Sequence, residues 1–466
     1  MKILYFGAGY VGTCSAAVSA DSGHEVLVYD IDQELIKKLS SFDKDTIESS
    51  LFEKGLGEFV VRNQARLKFS YELAAVEQFI NEVEAVFMCL PTPEKDGSGE
   101  TDLSYYEKAT IDLCKILVER NSGEQSQYIL IINKSTLPIE MADKTKEILD
   151  SMGVKNYGVS SNPEFLVEGS AVEGSIRPSR IVVGAWNDRD FKIFRDIYNR
   201  FVEAPNVSYI EVNPKEAAAG KLLANYFLFN RLANCYDIVG RASEKFQDLH
   251  FENLRKILIS DLRIGEWGFY NSLFAGGSCL IKDARSLAYQ LKEKEAQVDM
   301  INYTLEANQR QLKNFIGRAQ AELNYSWSGK RVGLLGLSFK RDTNDIRNSP
   351  AIYLTNFLLK AEIEQIKVYD PAAGQGFIKY FSNHSHFNKI ILADSEIKAM
   401  SNVDVLIIAT DWPQFRGLPE LIKDYLSKGS LIMDGRRMLQ FKYEELAKAG
   451  YHIIAVGSPL IKAKSN

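Results

Sequence analysis

The chain opens on an apolar run, Ile3–Phe6, that leads directly into Gly7-Ala8-Gly9-Tyr10-Val11-Gly12 and then a helical stretch, Thr13–Ser22. A second apolar run, Val26–Tyr29, ends on Asp30. Strand, glycine-rich turn, helix, strand and terminal acid together point to a parallel βαβ unit, because adjacent parallel strands require a crossover. In such a unit Gly7 permits the tight turn, Gly9 lets a pyrophosphate approach the backbone, and Gly12 lets helix and strand pack closely. Tyr10 and Val11 lie in the turn whose helix N-terminus offers free N–H groups to phosphate. Asp30 is placed to accept hydrogen bonds from an adenosine ribose and to repel a 2′-phosphate, so the expected cofactor is NAD rather than NADP. A lone GxGxxG is weak evidence; its strand, helix and acid make this one specific.

At 466 residues the chain exceeds one compact core and implies two or three domains. Further strand-like runs follow at Ala85–Leu90, Ile129–Asn133, Val159–Ser161 and Ile181–Gly184, with amphipathic stretches such as Tyr105–Glu119 between them. That alternation predicts a mostly parallel sheet covered on both faces. From Pro214 the pattern changes: Lys215–Ala242 reads as one uninterrupted helix, Asp283–Ala321 as mostly helical, with a loop between Gly265 and Ser278. After Lys330 the strand signal returns. Arg331–Gly336 resembles the chain start, Ile366–Asp370 echoes Glu25–Asp30, and Val403–Thr410 echoes Glu84–Pro91. The expected fold is therefore α/β, with two doubly wound, Rossmann-like domains (1–212 and 323–466) joined by a central helical region (213–322) suited to pairing two copies of the chain.

Formal net charge is −5, so no global field favours nucleic acid or an anionic membrane, and an anionic ligand needs a local Lys/Arg cluster. The start of the chain lacks the pattern of a signal peptide, and no apolar run is long enough to span a bilayer, which predicts a cytoplasmic protein. Five cysteines, Cys14, Cys89, Cys114, Cys235 and Cys279, lie far apart without a CxxC pair, against a disulfide framework or a zinc site. His384 and His386 sit in a polar loop that reads as solvated, and no metal is expected.

Three clusters carry chemistry. Asn162-Pro163-Glu164-Phe165-Leu166-Val167-Glu168-Gly169 follows a short strand and holds two carboxylates four residues apart. Lys221 and Asn225, at i and i+4, project from one helix face. Gly276-Gly277-Ser278-Cys279 precedes a helix starting near Lys282-Asp283, where the helix dipole and a lysine favour thiolate. Singly, each has a plainer reading: a solvated acidic face, a surface pair, a small buried hydrophobe. Beside a dinucleotide site, they describe a dehydrogenase with a covalent thiol step. Oxidation through an aldehyde to an acid needs such a step, because a hydride can leave a thiohemiacetal carbon to give a thioester.

These stretches occur in order with Leu90-Pro91-Thr92-Pro93, Lys134-Ser135-Thr136, Phe339-Lys340-Arg341-Asp342-Thr343 and Asp434-Gly435-Arg436-Arg437. The set closely resembles the UDP-glucose/GDP-mannose dehydrogenase family over nearly the whole chain. The resemblance implies Cys279 as nucleophile, Lys221 as stabiliser of charge on the sugar O6 with Asn225 as neutral donor, and Asp283 with Thr136 orienting or deprotonating a water. It also implies that Glu164 assists thioester hydrolysis and that Glu168 lies between sugar and nicotinamide. Thr92, Thr136, Lys282 and Arg347 would contact NAD. Phe165, Leu166, Gly276, Lys340 and Arg436 would contact the substrate, and Arg263 would reach it from a neighbouring subunit of a homo-oligomer.

Arg177–Gly184 resembles the UDP-glucose branch, and Ser278 before Cys279 argues against the UDP-N-acetylmannosamine branch, where histidine is common. UDP-glucose is the expected substrate and UDP-glucuronate the product, with GDP-mannose the nearest competitor. A two-electron hydroxyacid dehydrogenase would share the fold without needing Cys279. A non-catalytic sensor of nucleotide sugars would not need Cys279, Lys221 and Asp283 together. The chain departs from the family pattern at Ser272-Leu273-Phe274-Ala275, at Ile281, and at Leu35, where Lys37 is the nearby cation.

Overall fold

A computed structural model describes residues 1–120 and 127–464. The chain divides into two compact units, Met1–Ala224 with Arg285–Gln297, and Asn225–Ala284 with Val298–Asn466.

The first unit is built on eight strands: β1 (Lys2–Phe6), β2 (Glu25–Tyr29), β3 (Leu67–Ser70), β4 (Val83–Met88), β5 (Ile129–Asn133), β6 (Tyr157–Ser161), β7 (Arg180–Gly184) and β8 (Ser208–Val212). Their order is β3-β2-β1-β4-β5-β6-β7-β8. All neighbours are parallel except β6 and β7, which meet antiparallel through Ser161 and Gly184. Alternate residues of β1 feed two cores: Ile3 and Tyr5 face one side, Leu4 and Phe6 the other. Burial on both faces explains why these strands read as continuous apolar runs. Tyr5 stacks on Phe87, its partner in β4, with centroids 4.6 Å apart.

In the second unit β9 (Arg331–Leu335), β10 (Gln365–Tyr369), β11 (Ile390–Leu392), β12 (Val405–Ile408), β13 (Leu431–Asp434) and β14 (His452–Ala455) form a parallel sheet in the order β11-β10-β9-β12-β13-β14. This matches the order of the first six strands of the other sheet, so the sequence echo is a topological repeat. Both sheets start alike. Gly7 and Gly336, at φ +104° and +88°, donate their N–H groups to the carbonyls of Tyr29 and Tyr369. The acids after those tyrosines differ. Asp30 is half-buried and accepts from the Ala8 and Asp32 N–H groups, at 2.6 and 2.9 Å. Asp370 is buried and accepts from the N–H groups of Leu337, Ser338, Ala372 and Ala373, the Ser338 hydroxyl and the Trp412 indole.

The helical stretch read as Lys215–Ala242 is not uniform. An α-helix covers Pro214–Asn234, a π-helical turn Cys235–Gly240, and α-helix resumes over Arg241–Lys245. Apolar periodicity does not register a single widened turn. Further on, helices span Leu280–Glu293 and Asp299–Leu323, so the helix after Cys279 starts two residues before Lys282. The first helix of the chain likewise starts at Tyr10, three residues before Thr13. Strands β3 and β8 escape notice in the sequence because each is short and only partly buried. Among the described residues no helix is long and apolar enough to cross a membrane.

Candidate active site

The glycine turn has the form a pyrophosphate requires. A Cβ on Gly12 would lie 2.0 Å from the Gly7 carbonyl oxygen, and one on Gly7 would lie 2.1 Å from that of Cys89, so neither tolerates a side chain. Gly9 is exposed, with open space where its Cβ would be, and forms the N-cap of the Tyr10–Asp21 helix. Backbone N–H groups of Tyr10 and Val11 follow, with no acidic side chain in that turn to compete for a phosphate. Open approach, helix N-terminus and the Asp30 carboxylate fit an adenosine diphosphate. NADP is expected to give a kcat/KM at least about a hundredfold below NAD, because like charges at an interface cost several kcal/mol. Side-by-side initial-rate measurements test this, and comparable values with the two cofactors would sink it.

Thr92 lies half-buried in the loop after β4, and Thr136 in the loop after β5. Ser135 ties these loops together: its hydroxyl accepts from the Leu90 N–H and donates to the Leu90 carbonyl, both at 2.7 Å. Thr136 and Lys221 line a cavity of about 10 Å³, close to what one water molecule needs.

Glu164 and Lys221, from the loop after β6 and the Pro214–Asn234 helix, form a buried ion pair of 3.0 Å, their side chains 9% and 6% exposed. Neither Glu164 nor Lys221 is therefore part of a plain solvated face. Glu164 also accepts from the Leu166 N–H. The Phe165 ring lies 5.3 Å from the Lys221 ammonium and 4.0 Å from the Arg180 guanidinium. Glu168 is half-buried three residues before the Ala171–Ile176 helix. Two residues not identified from sequence support this loop. The wholly buried Glu53 accepts from the Gly169 and Ala171 N–H groups, at 2.7 and 2.9 Å. Lys134 donates to Asn162 at 2.9 Å, and burial lowers its pKa to about 8 despite Cys89 and Glu164 nearby. Only tertiary packing reveals either role, since both residue types are ordinarily exposed.

In the second unit, Cys279 sits half-buried at the cap of the Leu280–Glu293 helix, where its carbonyl accepts the Asp283 N–H at 2.8 Å. The thiol is thus beside the positive end of a 14-residue helix. Cys14, Cys114 and Cys235 are buried, and burial pushes the Cys89 thiol up to about 12. Among the five, Cys279 alone combines exposure with a helix N-terminus. Asp283 is 1% exposed and its Oδ2 accepts from Asn225 at 2.6 Å. Its Oδ1 faces the Lys282 ammonium at 2.7 Å, an ion pair without hydrogen-bond alignment. The Gly276-Gly277 pair passes against Phe339 and Asn348. A Cβ on Gly276 would meet the Asn348 carbonyl at 2.5 Å, and Gly277, at φ +87°, has its N–H donated to the Arg347 carbonyl. The Arg347 side chain is exposed and paired with Asp345 at 2.7 Å, and that of Arg263 with Asp261 at 2.6 Å.

A cavity of about 1130 Å³ opens in this unit. Gly276, Lys340 and Arg436 line it, with Arg255, Arg341, Arg416, Arg437 and Lys442, against two acids, Glu252 and Asp411. That is the local basic cluster an anionic ligand needs in a net-acidic chain. Arg437 serves the fold, donating to the Val456 and Gly457 carbonyls and the Ser458 hydroxyl. Arg436 donates to Ser272 and Asp411, while its buried Nε has no partner among the described residues. Phe339, Tyr270 and Phe441 supply flat apolar surface at the same cavity.

Residues 1–202, 215–310 and 333–441 match, in turn, the NAD binding domain, the central domain and the UDP binding domain of the UDP-glucose/GDP-mannose dehydrogenase family. The UDP-glucose 6-dehydrogenase of Rickettsia felis is 32% identical, with 99% of this chain and 97% of that protein aligned. That of Pseudomonas aeruginosa is 30% identical, with 98% of each chain aligned. A solved UDP-glucose dehydrogenase from the hyperthermophilic archaeon Pyrobaculum islandicum has a TM-score of 0.82 at 26% identity, covering 94% of this chain and 95% of its own.

Proposed function

Because the chain belongs to the UDP-glucose/GDP-mannose dehydrogenase family and is an NAD-dependent nucleotide-sugar dehydrogenase, we propose that it oxidises the C6 alcohol of UDP-glucose to a carboxylate through a covalent intermediate on Cys279. The names of its relatives and the basic cavity support the sugar nucleotide. The observation that carries the covalent step is Cys279 at a helix start with the buried, Asn225-bonded Asp283 one turn on.

The Gly7–Gly12 turn, Asp30, Thr92, Thr136, Glu168, Lys282 and Arg347 hold NAD, which supplies a hydride acceptor. Lys221 and Asn225 neutralise charge on O6 as the alcohol loses its proton and C6 its hydride. The Cys279 thiolate then bonds to C6 of the aldehyde, giving a thiohemiacetal. Loss of a second hydride from C6, and of the O6 proton to solvent, leaves a thioester. Asp283, with Thr136, takes a proton from water as its oxygen attacks C6, Glu164 assists, and the C6–sulfur bond breaks to return the thiolate. The net change is alcohol, water and two NAD to carboxylate, two NADH and three protons. Phe165, Leu166, Gly276, Lys340 and Arg436 bind the sugar nucleotide. In this reading 1–212 is the NAD-binding domain, 213–322 the helical region through which copies associate, and 323–466 the nucleotide-sugar domain. Arg263 reaches the substrate of a neighbouring subunit, and the enzyme works in the cytoplasm.

With UDP-glucose limiting, an end-point assay is expected to yield two NADH per sugar and UDP-glucuronate by mass, with little free aldehyde. One NADH per sugar with accumulating aldehyde would defeat the four-electron mechanism. Running GDP-mannose in parallel tests the choice of substrate: faster turnover of GDP-mannose would reassign it.

A further inference from the structure

The backbone just before the cysteine turn is fixed by side chains from one helix. Asn308, in the Asp299–Leu323 helix and 1% exposed, meets both backbone groups of Ala275. The Ala275 N–H donates to Asn308 Oδ1 at 2.8 Å, and Asn308 Nδ2 donates to the Ala275 carbonyl at 3.1 Å. One turn along the same helix, Gln311 donates to the Ser272 carbonyl at 2.9 Å and accepts from Arg241 at 2.9 Å. The two amides therefore grip Ser272 and Ala275 as a neighbouring strand would, where the loop has no strand partner.

A third side chain braces the first amide. Tyr236, 1% exposed, donates its hydroxyl to Asn308 Oδ1. The Ala275 N–H can only donate and its carbonyl only accept, which identifies Oδ1 as the acceptor and Nδ2 as the donor, and the Tyr236 hydroxyl adds a second bond to that oxygen. Tyr236 lies in the π-helical turn Cys235–Gly240, whose extra residue per turn shifts the register of the helix face. Ser272, Phe274, Ala275 and Gly276 all line the basic cavity, and Cys279 is four residues beyond Ala275.

We propose that Asn308, braced by Tyr236, is a positioning residue for the nucleotide sugar. It holds the 272–276 backbone at the shape the cavity needs and sets the path of the chain into Cys279. This deepens the proposed function and rests on that reading of the cavity. Neither residue has a claim on the reacting atoms, so their effect should be selective: binding of the sugar nucleotide weakens while NAD binding, whose glycine turn and Asp30 lie in the other unit, does not.

Asn308→Leu keeps the volume and removes all three hydrogen bonds. Tyr236→Phe removes the hydroxyl alone. For N308L we expect a KM for UDP-glucose raised about tenfold or more, from loss of buried hydrogen bonds. Its dissociation constant for NAD should stay within about twofold, since Asn308 bonds to none of the residues assigned to NAD. Y236F should shift the same KM in the same direction by about two- to fivefold, as for one bond. A residue that only stabilises the fold would lower the active fraction and leave this KM alone, so thermal melts and active-site titration are run on both variants. An unchanged UDP-glucose KM in N308L overturns the proposal even if activity falls. If N308L does not fold, Y236F decides alone, an unchanged KM again overturning it. Should the wild-type protein bind no UDP-sugar by calorimetry, the reading of the cavity has failed instead.

Discussion

Cys279→Ser is expected to lose steady-state acid production by about a thousandfold or more, while still binding NAD and UDP-glucose, because a hydroxyl beside a helix start remains far from ionised at neutral pH. The thiol at this position begins nearer to ionisation and also leaves more readily: a thioester hydrolyses more easily than the ester serine would form. The glycine pair before it and the helix after it do not depend on sulfur, so the fold and both binding sites should persist. NADH formation at saturating substrate, product mass and calorimetric titration of each ligand are the measurements. Near-normal UDP-glucuronate from the serine variant would show that no covalent thiol step exists.

Lys221→Ala should have the second-largest effect, on both turnover and stability. Removing a donor that stabilises developing oxyanion charge typically costs about a hundred- to a thousandfold in kcat. The same change strands the Glu164 carboxylate, which is 9% exposed and pairs with Lys221 at 3.0 Å. Breaking a buried ion pair by removing one partner costs on the order of 3–5 kcal/mol. Adding Glu164→Gln to Lys221→Ala removes the stranded charge. The double variant should regain most of the lost melting temperature and none of the lost turnover. Turnover restored along with stability would mean that Lys221 acts only through the fold.

Where a residue's placement follows from its neighbours along the chain, the sequence reveals it. Gly7, Gly9, Gly12 and Asp30 sit on one βαβ unit, and their spacing alone defines the turn. Cys279 and Asp283 are likewise one helical turn apart. The two sheets were legible because parallel strands buried on both faces leave unbroken apolar runs. What escaped notice depends on segments distant in sequence. Glu53 lies 116 residues from the Gly169 N–H it accepts, and Asn308 lies 33 from Ala275. Arg255 and Arg416 join the basic cavity from separate stretches, and no local pattern distinguishes them from solvated arginines. The π-helical turn at Cys235–Gly240 was hidden for another reason: one additional residue leaves the apolar spacing nearly intact.

The two acids that follow the second strand of each sheet have a bearing on timing. Six donors from its own chain converge on Asp370, more than the roughly four lone-pair sites a carboxylate offers. No ribose can compete for it, whereas Asp30 retains acceptor capacity. The second sheet is thus closed to a dinucleotide bound in this way, although the proposed oxidation removes two hydrides. In the proposed reaction, reduced cofactor must depart and a fresh molecule arrive midway through each turnover, with the sugar half oxidised. A free aldehyde would have that whole interval in which to diffuse away. The proposed bond to sulfur would thus be a clock as well as a chemical device: it must outlast one exchange of cofactor, and the slower that exchange, the more the yield of acid depends on the lifetime of the tether.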